Sequence, residues 1–115
     1  MECIFCLLSS NNKNFLYENK EFYSIPDKSP LTKGHTLVIS KMHYENFFDF
    51  PKENASSLVE AVQETKKIIQ VKYSPDAYNV GSNNGKDAGQ SVFHFHMHLI
   101  PRYKGDRPWK NTEMP

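Results

Sequence analysis

The segment before Pro101 alternates between histidine and apolar residues, in the order His94-Phe95-His96-Met97-His98-Leu99-Ile100. Successive side chains of a β-strand point to opposite faces, so a period of two predicts a strand, over residues 92–101, with three imidazoles on one face. The opposite face is apolar and needs a cover of other apolar side chains. The imidazole face is expected to border a wet or ligand-filled surface.

Three imidazoles spread along one strand are unsuited to binding a single metal ion together. His94 and His98 lie roughly 14 Å apart on an extended strand, whereas zinc ligands lie about 2 Å from their ion. One of the three could still join a metal site with ligands from elsewhere. A neutral imidazole can also act as a nucleophile without prior deprotonation, since its ordinary pKa is near 6.5. A surface strand with incidental histidines is the alternative interpretation.

The rest of the chain predicts one long helix among several strands. Apolar residues recur at three- and four-residue spacings from Lys52 to about Lys72, and Ser74-Pro75 ends this helix. Hairpin connections early in the chain favour an α+β fold with a mainly antiparallel sheet. Residues 44–50 are compatible with a short helical turn, and 26–30 and 83–89 with loops. The other strands are predicted at 14–18, 21–25, 36–40 and 77–82, and the buried helix face at Ala55, Leu58, Val59, Val62, Thr65 and Ile69.

The size and charge of the chain limit the number of domains and the kinds of partner that we expect. A length of 115 residues favours one domain, residues 1–115. A formal net charge of +1 gives no long-range attraction to nucleic acid or to a membrane surface, so an anionic ligand needs a local site. The apolar runs are too short to span a bilayer, and the N-terminus lacks the features of a secretion signal. A cytoplasmic location is expected, where Cys3 and Cys6 are ligands or free thiols rather than a disulfide.

Three segments resemble landmarks of the histidine triad (HIT) family, in that family's order. The triad with its polar lead-in matches the signature, a Gly-His-x-Leu-Val-Ile-x-Lys strand matches the second landmark, and a Cys-x-x-Cys opening matches the third. The resemblance runs from Cys3 to about Asp106. The segments are Gly89 to Arg102, Gly34 to His43, and Cys3-Ile4-Phe5-Cys6.

The resemblance implies a five-stranded antiparallel sheet with one long and one short helix, usually paired as a homodimer. Members of the family bind purine nucleotides and hydrolyse or transfer at the α-phosphate, and their middle histidine, here His96, becomes transiently nucleotidylated. The expected substrates are small molecules, namely nucleoside phosphoramidates or dinucleoside polyphosphates. Nucleotidyl transfer to an acceptor such as a sugar phosphate, and a non-catalytic nucleotide- or partner-binding module, are the alternative functions.

Several residues have roles implied by the resemblance. Donors must converge on the phosphate oxygens that gain charge in the transition state. His98 is the next donor on the strand face, and Ser91 is expected to cradle the phosphate or assist the leaving group. His94 and His35 complete the expected catalytic set, with His35 orienting the triad or stabilising charge; a satisfied core histidine is the alternative for His35. The expected substrate-binding residues are Asp27, Asn83, Gly89, Gln90, Ser91 and His98.

Two of these expectations concern the sugar and the base. Asp27 occupies the position that bonds the ribose hydroxyls, although a simple turn residue is the alternative. An apolar slot around the base is expected, with ordinary core packing as the alternative for its members. Lys28 stands where an apolar residue would better line such a slot, which leaves base specificity open. The candidate slot residues are Ile4, Phe5, Leu8 and Ile25.

The cysteine pair has the spacing of a zinc knuckle, Cys3-x-x-Cys6. The family supplies His43 and His94 as two further ligands. A closed Cys2His2 set predicts a structural zinc ion that would hold the N-terminus to the sheet. Two inert thiols with a surface His43 are the alternative.

Overall fold

A computed structural model describes residues 3–11 and 14–106. Within these residues two helices and five strands form the fold, with single turns of 3-10 helix at Lys52–Asn54 and Lys86–Ala88. In chain order the elements are α1 (Ile4–Asn11), β1 (Tyr17–Glu18), β2 (Phe22–Pro26), β3 (Thr36–Ser40), α2 (Ala55–Tyr73), β4 (Ala77–Gly81) and β5 (His96–Arg102).

The five strands form one sheet in the order β1-β2-β3-β5-β4, and every neighbouring pair is antiparallel. β5 therefore lies between β3 and β4. Its histidines are in register with β3, since His96 is opposite Ile39 and His98 is opposite Leu37. The predicted α+β class and five-stranded antiparallel sheet are confirmed.

The long helix α2 covers one face of the sheet. Its buried residues are Leu58, Ala61, Thr65 and Ile69. Leu58 and Ala61 pack with Phe95, so the apolar side of the histidine segment faces the helix as expected. Ala55 and Val59 were predicted to be buried, but both are exposed, Val59 by 52%. The prediction is wrong for these two because the buried stripe follows Leu58, Ala61, Thr65 and Ile69, and Val59 lies about 100° around the helix from Leu58. The helix ends at Ser74, whose backbone is left-handed with a φ of 51° and whose N–H donates to the Gln70 carbonyl.

The short helix α1 covers part of the opposite face. Phe5 packs there with Tyr23, Leu37 and Ile39, and the Tyr23 hydroxyl donates a 2.6 Å hydrogen bond to the Phe5 carbonyl. The sequence did not locate this helix, because eight residues show little periodicity and a helix this short depends on tertiary packing. The short helix that the resemblance implied is therefore α1, and it does not lie in residues 44–50. Residues 44–50 contain only a turn at 47–49.

The histidine strand is shorter than predicted. β5 begins at His96, and residues 92–94 are bent. Phe95 still bonds to its neighbours on both sides, since its N–H donates to the Tyr44 carbonyl and its carbonyl accepts from the Ser40 N–H. The Tyr44 carbonyl thus accepts the hydrogen bond that a neighbouring strand would accept at this position, and His94 lies outside the regular strand. β1 is also shorter than predicted and comprises only Tyr17–Glu18.

None of the helices in the described ranges is long and apolar enough to cross a membrane. The homodimer implied by the resemblance stays a prediction.

Candidate active site and metal centre

A cavity of about 320 Å³ lies between α1, the end of β2 and the start of β5. This size is within the usual range for small-molecule sites. Its polar residues are Asp27, Lys28, Ser91, His96 and His98, so two of the three triad histidines line it. The expected slot residues lie in the apolar part of its wall, which consists of Ile4, Phe5, Leu8, Ile25, Pro26, Leu37 and Val92.

His96 presents an unprotonated nitrogen to this cavity. Its Nδ1 lies 2.8 Å from the His94 carbonyl oxygen, and a carbonyl can only accept, so Nδ1 carries the proton. In the neutral ring the lone pair is then on Nε2. Burial lowers the pKa of His96, and the His94 hydrogen bond and the Asp27 charge oppose that shift. The ring is therefore neutral at pH 7 and holds the tautomer that a nucleophile needs.

His98 is held as a hydrogen-bond donor by a chain of three groups. The Leu31 N–H donates to His35 Nδ1 at 2.9 Å, which places the His35 proton on Nε2. His35 Nε2 lies 3.0 Å from His98 Nδ1 and donates to it, so the His98 proton is on Nε2. Burial and the neighbouring His96 and His35 lower the pKa of His98 to about 4, and Asp27 opposes the shift. A neutral ring thus offers an N–H donor at the cavity.

His35 has contacts that agree with two of the roles considered for it, a core histidine and a residue that orients the triad. It is 2% exposed and both ring nitrogens are hydrogen-bonded, as in a core histidine. Burial lowers its pKa although Asp27 opposes the shift. Because it also fixes the His98 tautomer, it orients the triad without lining the cavity.

Asp27 combines a turn with a cavity position. Its Oδ1 accepts from the Ser29 N–H at 2.9 Å, as a turn residue does. Its Oδ2 lies 3.4 Å from His35 Nε2 and 4.0 Å from His98 Nδ1. The carboxylate therefore lies beside the histidines at the mouth of the cavity, where hydroxyl donors of a ligand can reach it.

The polar loop before β5 contains Gln90 and Gly89, two of the residues predicted to bind substrate. Gln90 was predicted to bind substrate, but its side chain accepts from the Gly85 N–H and donates to the Glu45 and Val92 carbonyls. The N–H of Gly89 donates to the Lys86 carbonyl at 3.0 Å, and the predicted place of Gly89 beside the phosphate stays a prediction. Gln90 is a buried brace because three backbone groups need its amide.

Asn83 and Ser91 differ in where they lie. Asn83 is absent from the cavity wall and its Nδ2 donates weakly to the Gly89 carbonyl at 3.5 Å. Ser91 lines the cavity with His96 and His98. Of the loop residues predicted to bind substrate, Ser91 lines this cavity, and the roles of Asn83, Gly89 and Gln90 stay predictions.

A second cluster, called the metal cluster below, contains Cys3, Cys6, His43 and His94. His94 Nδ1 lies 3.2 Å from Cys3 Sγ, 3.5 Å from Cys6 Sγ and 3.2 Å from His43 Nδ1. Tetrahedral ligands about 2.0–2.3 Å from a zinc ion are about 3.3–3.8 Å apart, so these separations suit zinc closely. His94 Nε2 donates to the Ser40 carbonyl at 2.6 Å, which leaves the Nδ1 lone pair toward the cluster. The four residues fit a tetrahedral metal ion.

A third group, Asp27, His35 and His98, has the ligand types of a metal site but does not fit one. A metal ion on His35 Nε2 would force the ring proton onto Nδ1. That nitrogen already accepts from the Leu31 N–H, so two donors would then face each other at 2.9 Å. The hydrogen-bond chain therefore explains this group without an ion.

Sequence reasoning missed Leu31, whose backbone N–H begins that chain, and Ser40, whose carbonyl fixes the His94 tautomer. Backbone groups act here whatever the side chain, so no residue pattern announces them. It also missed Phe5 as an edge-on neighbour of both His94 and His96, with ring centroids 5.8 and 5.0 Å apart.

Comparison with known proteins agrees with this geometry. The profile of the HIT domain family matches residues 9–105. The chain is 45% identical over 107 residues to Protein hit of Bacillus subtilis, covering 90% of this chain and 74% of that protein. It is 38% identical over 102 residues to adenosine 5′-monophosphoramidase HNT1 of Saccharomyces cerevisiae, covering 87% of this chain and 62% of the yeast protein.

A solved structure of a zinc-bound histidine triad family protein from Mycobacterium smegmatis superimposes with a TM-score of 0.80 at 34% identity. The match covers 98% of this chain and 87% of that one. The family profile spans most of the chain, and Protein hit is 45% identical to it over an alignment that covers 74% of that protein. The chain therefore belongs to the HIT domain family.

Proposed function

We propose that the chain is a hydrolase that cleaves nucleoside phosphoramidates or dinucleoside polyphosphates at the α-phosphate. The observation that carries the proposal is the pair of complementary tautomers in one cavity. His96 offers a lone pair on Nε2 and His98 offers a proton on Nε2. A nucleophile beside a donor for phosphate oxygens is the arrangement that two-step phosphoryl chemistry requires.

The reaction proceeds in two steps. In the first, His96 Nε2 bonds to the α-phosphorus, and the bond from phosphorus to the leaving nitrogen or oxygen breaks with its electron pair. Ser91 and His98 donate hydrogen bonds to the phosphate and the leaving atom, and the leaving atom takes up a proton as it departs, which the attacking water gives back in the second step. In the second, water attacks the nucleotidyl-His96 phosphorus, a nucleoside monophosphate leaves, and the neutral ring is restored.

The cavity accounts for the nucleoside part of such a substrate. Asp27 accepts from the ribose hydroxyls at the end of β2, and the apolar wall provided by α1 and Ile25 packs on the base. The yeast relative's name states an adenosine 5′-monophosphoramidase activity. The substrate of that activity contains the bond from phosphorus to nitrogen that nucleoside phosphoramidates contain. The relative therefore supports nucleoside phosphoramidates ahead of dinucleoside polyphosphates as substrates.

We also propose that the metal cluster binds one structural zinc ion. Four thiolate and imidazole ligands close the tetrahedron, so zinc would supply a crosslink and no site for water activation. The zinc-bound mycobacterial neighbour supports this assignment.

A substrate panel tests the catalytic proposal. The purified protein is incubated separately with adenosine 5′-phosphoramidate, diadenosine polyphosphates and a sugar nucleotide with a sugar phosphate acceptor. The expected result is AMP release from one or both of the first two, and label from an α-³²P substrate trapped on His96 in a quench without acid. Product formation only with the acceptor present would favour the transferase alternative. Nucleotide binding without turnover of any substrate would favour the binding module.

A further inference from the structure

The metal cluster and the proposed active site share a residue, His94. Its ring nitrogen Nδ1 faces the two thiols, while its backbone carbonyl accepts the Nδ1 proton of His96. The orientation of one residue thus sets both a metal ligand and the hydrogen bond that leaves the His96 lone pair on Nε2.

Helix α1 provides a second connection between the two places. Cys3 immediately precedes this helix and Cys6 is in its first turn, and both belong to the metal cluster. Ile4, Phe5 and Leu8, on the same turns, line the cavity. The Phe5 ring lies edge-on to His94 and to His96, so it separates the two sites and contacts both.

An isolated helix of eight residues is unstable in water, so α1 depends on what holds it to the sheet. An ion with two ligands at the N-terminal end of α1 and two beside the sheet, His43 and His94, is such a crosslink. The free energy of binding the metal then orders the helix and its cavity residues. A nucleotide that packs on those residues would bind more tightly to the ordered form, and the coupling must be reciprocal.

We propose that the metal cluster is a positioning centre for the active site: the bound metal fixes the His96 tautomer through the His94 carbonyl, and holds α1 against the nucleotide cavity. The part that concerns nucleotides rests on the proposed function. The part that concerns His96 rests on the geometry of His94 alone.

The test compares zinc-loaded protein with protein dialysed against a chelator, at a temperature where far-UV circular dichroism shows both to be folded. Calorimetric titration with AMP is expected to give a Kd at least about tenfold weaker without metal, and reloading with zinc should restore it. Without any nucleotide, ¹⁵N NMR of the imidazoles should show His96 protonated on Nδ1 in the loaded form. In the chelated form it should show a mixture of tautomers.

Three variants locate the effect. His43→Gln removes a ligand that is outside both α1 and the cavity, and should reproduce the chelated state. Met42→Gln is the matched control next to it, since that side chain is 64% exposed and belongs to neither site. Phe5→Leu keeps all four ligands and should retain one zinc per chain while weakening AMP binding. This variant keeps the test decisive if His43→Gln fails to fold.

Equal AMP affinity and unchanged His96 tautomer in the loaded and chelated forms would overturn the positioning role. Phe5→Leu with unaltered AMP affinity would remove the helix as its route. A metal-dependent His96 tautomer with no AMP binding in either form would leave the positioning role standing and count against the nucleotide function.

Discussion

The metal cluster, which contains His94, and the cavity cluster, which contains His35, His96 and His98, use imidazole side chains in opposite ways. At the metal cluster, the Ser40 carbonyl takes the Nε2 proton of His94, so the other nitrogen faces two thiols and His43 with a lone pair. At the cavity, the Leu31 N–H occupies Nδ1 of His35, so the other nitrogen faces His98 with a proton. One cluster is prepared for a cation and the other for an anion.

Neither sequence nor spacing makes this difference, since each cluster contains a buried imidazole beside an acidic or thiol partner. The difference comes from the backbone group nearest the first ring nitrogen. A carbonyl makes that nitrogen a donor and frees the second to bind metal, whereas an N–H makes it an acceptor and turns the second into a donor. The same logic gives His96 its lone pair, through the His94 carbonyl.

The largest effect is expected at the nucleophile. His96→Ala should lower the rate of AMP release from adenosine phosphoramidate by at least about a thousandfold, because the covalent step has no other nitrogen to use. AMP affinity should stay within about tenfold of wild type, since the cavity wall is intact. Steady-state assays with calorimetric binding measure both. Residual activity above a tenth of the wild-type rate would exclude His96 as the nucleophile and leave the cavity a binding site.

The metal cluster should matter for stability rather than directly for chemistry. The Cys3→Ser/Cys6→Ser double variant should lose the expected single zinc ion and melt on the order of 10 °C lower, because a tightly bound ion stabilises the folded state by several kcal/mol. Elemental analysis and thermal melts measure these quantities. A chelator should lower the melting temperature of wild type and leave that of the double variant in place. Wild-type protein free of zinc after expression with ample metal would remove the site from the molecule.

The sequence predicted what depends on side-chain pattern and missed what depends on the backbone. Alternation at 94–100 and the period of α2 gave the sheet, the helix and the opposed apolar face, because burial enforces those periods. The sequence could not show that β5 starts only at His96, since the Tyr44 carbonyl decides it. Gln90 was predicted to bind substrate because it is a polar residue just before the histidine strand. The sequence alone does not distinguish an amide that faces a phosphate from one that bonds to three backbone groups.

Ser91 sharpens the contrast within the loop before β5, because it lines the cavity whereas Gln90 does not. Ser91→Ala should reduce turnover about tenfold to a hundredfold with little change in AMP affinity, if its hydroxyl bonds the leaving atom in the transition state. The loss should shrink with a nucleotide aryl ester, whose leaving group needs no proton. Kinetics with good and poor leaving groups measure this dependence. An equal loss for both would make Ser91 a scaffold residue like Gln90.

The smallest effect concerns the pH dependence of stability at the cavity cluster. His98 faces His96, His35 and Asp27, and its pKa in the folded protein is about 4, below the ordinary value near 6.5. Above pH 6.5 it is neutral in both states and has no effect. As the pH falls from 6.5 toward 4, the unfolded chain takes up a proton that the folded chain refuses, so the free energy of unfolding decreases.

Urea unfolding at pH 8 and pH 5 checks this on wild type and His98→Asn, both after chelation so that acid release of metal does not contribute. The wild type should lose about 1–2 kcal/mol more than the variant between these pH values, because asparagine has no proton to refuse. His94, His96 and His35 also have lowered pKa values and remain in both proteins, so they contribute to both losses. The same loss in both proteins would show that His98 takes up its proton as readily in the folded chain as in the unfolded one. The neutral donor tautomer would then fail, and with it the opposition between a cluster prepared for a cation and one prepared for an anion.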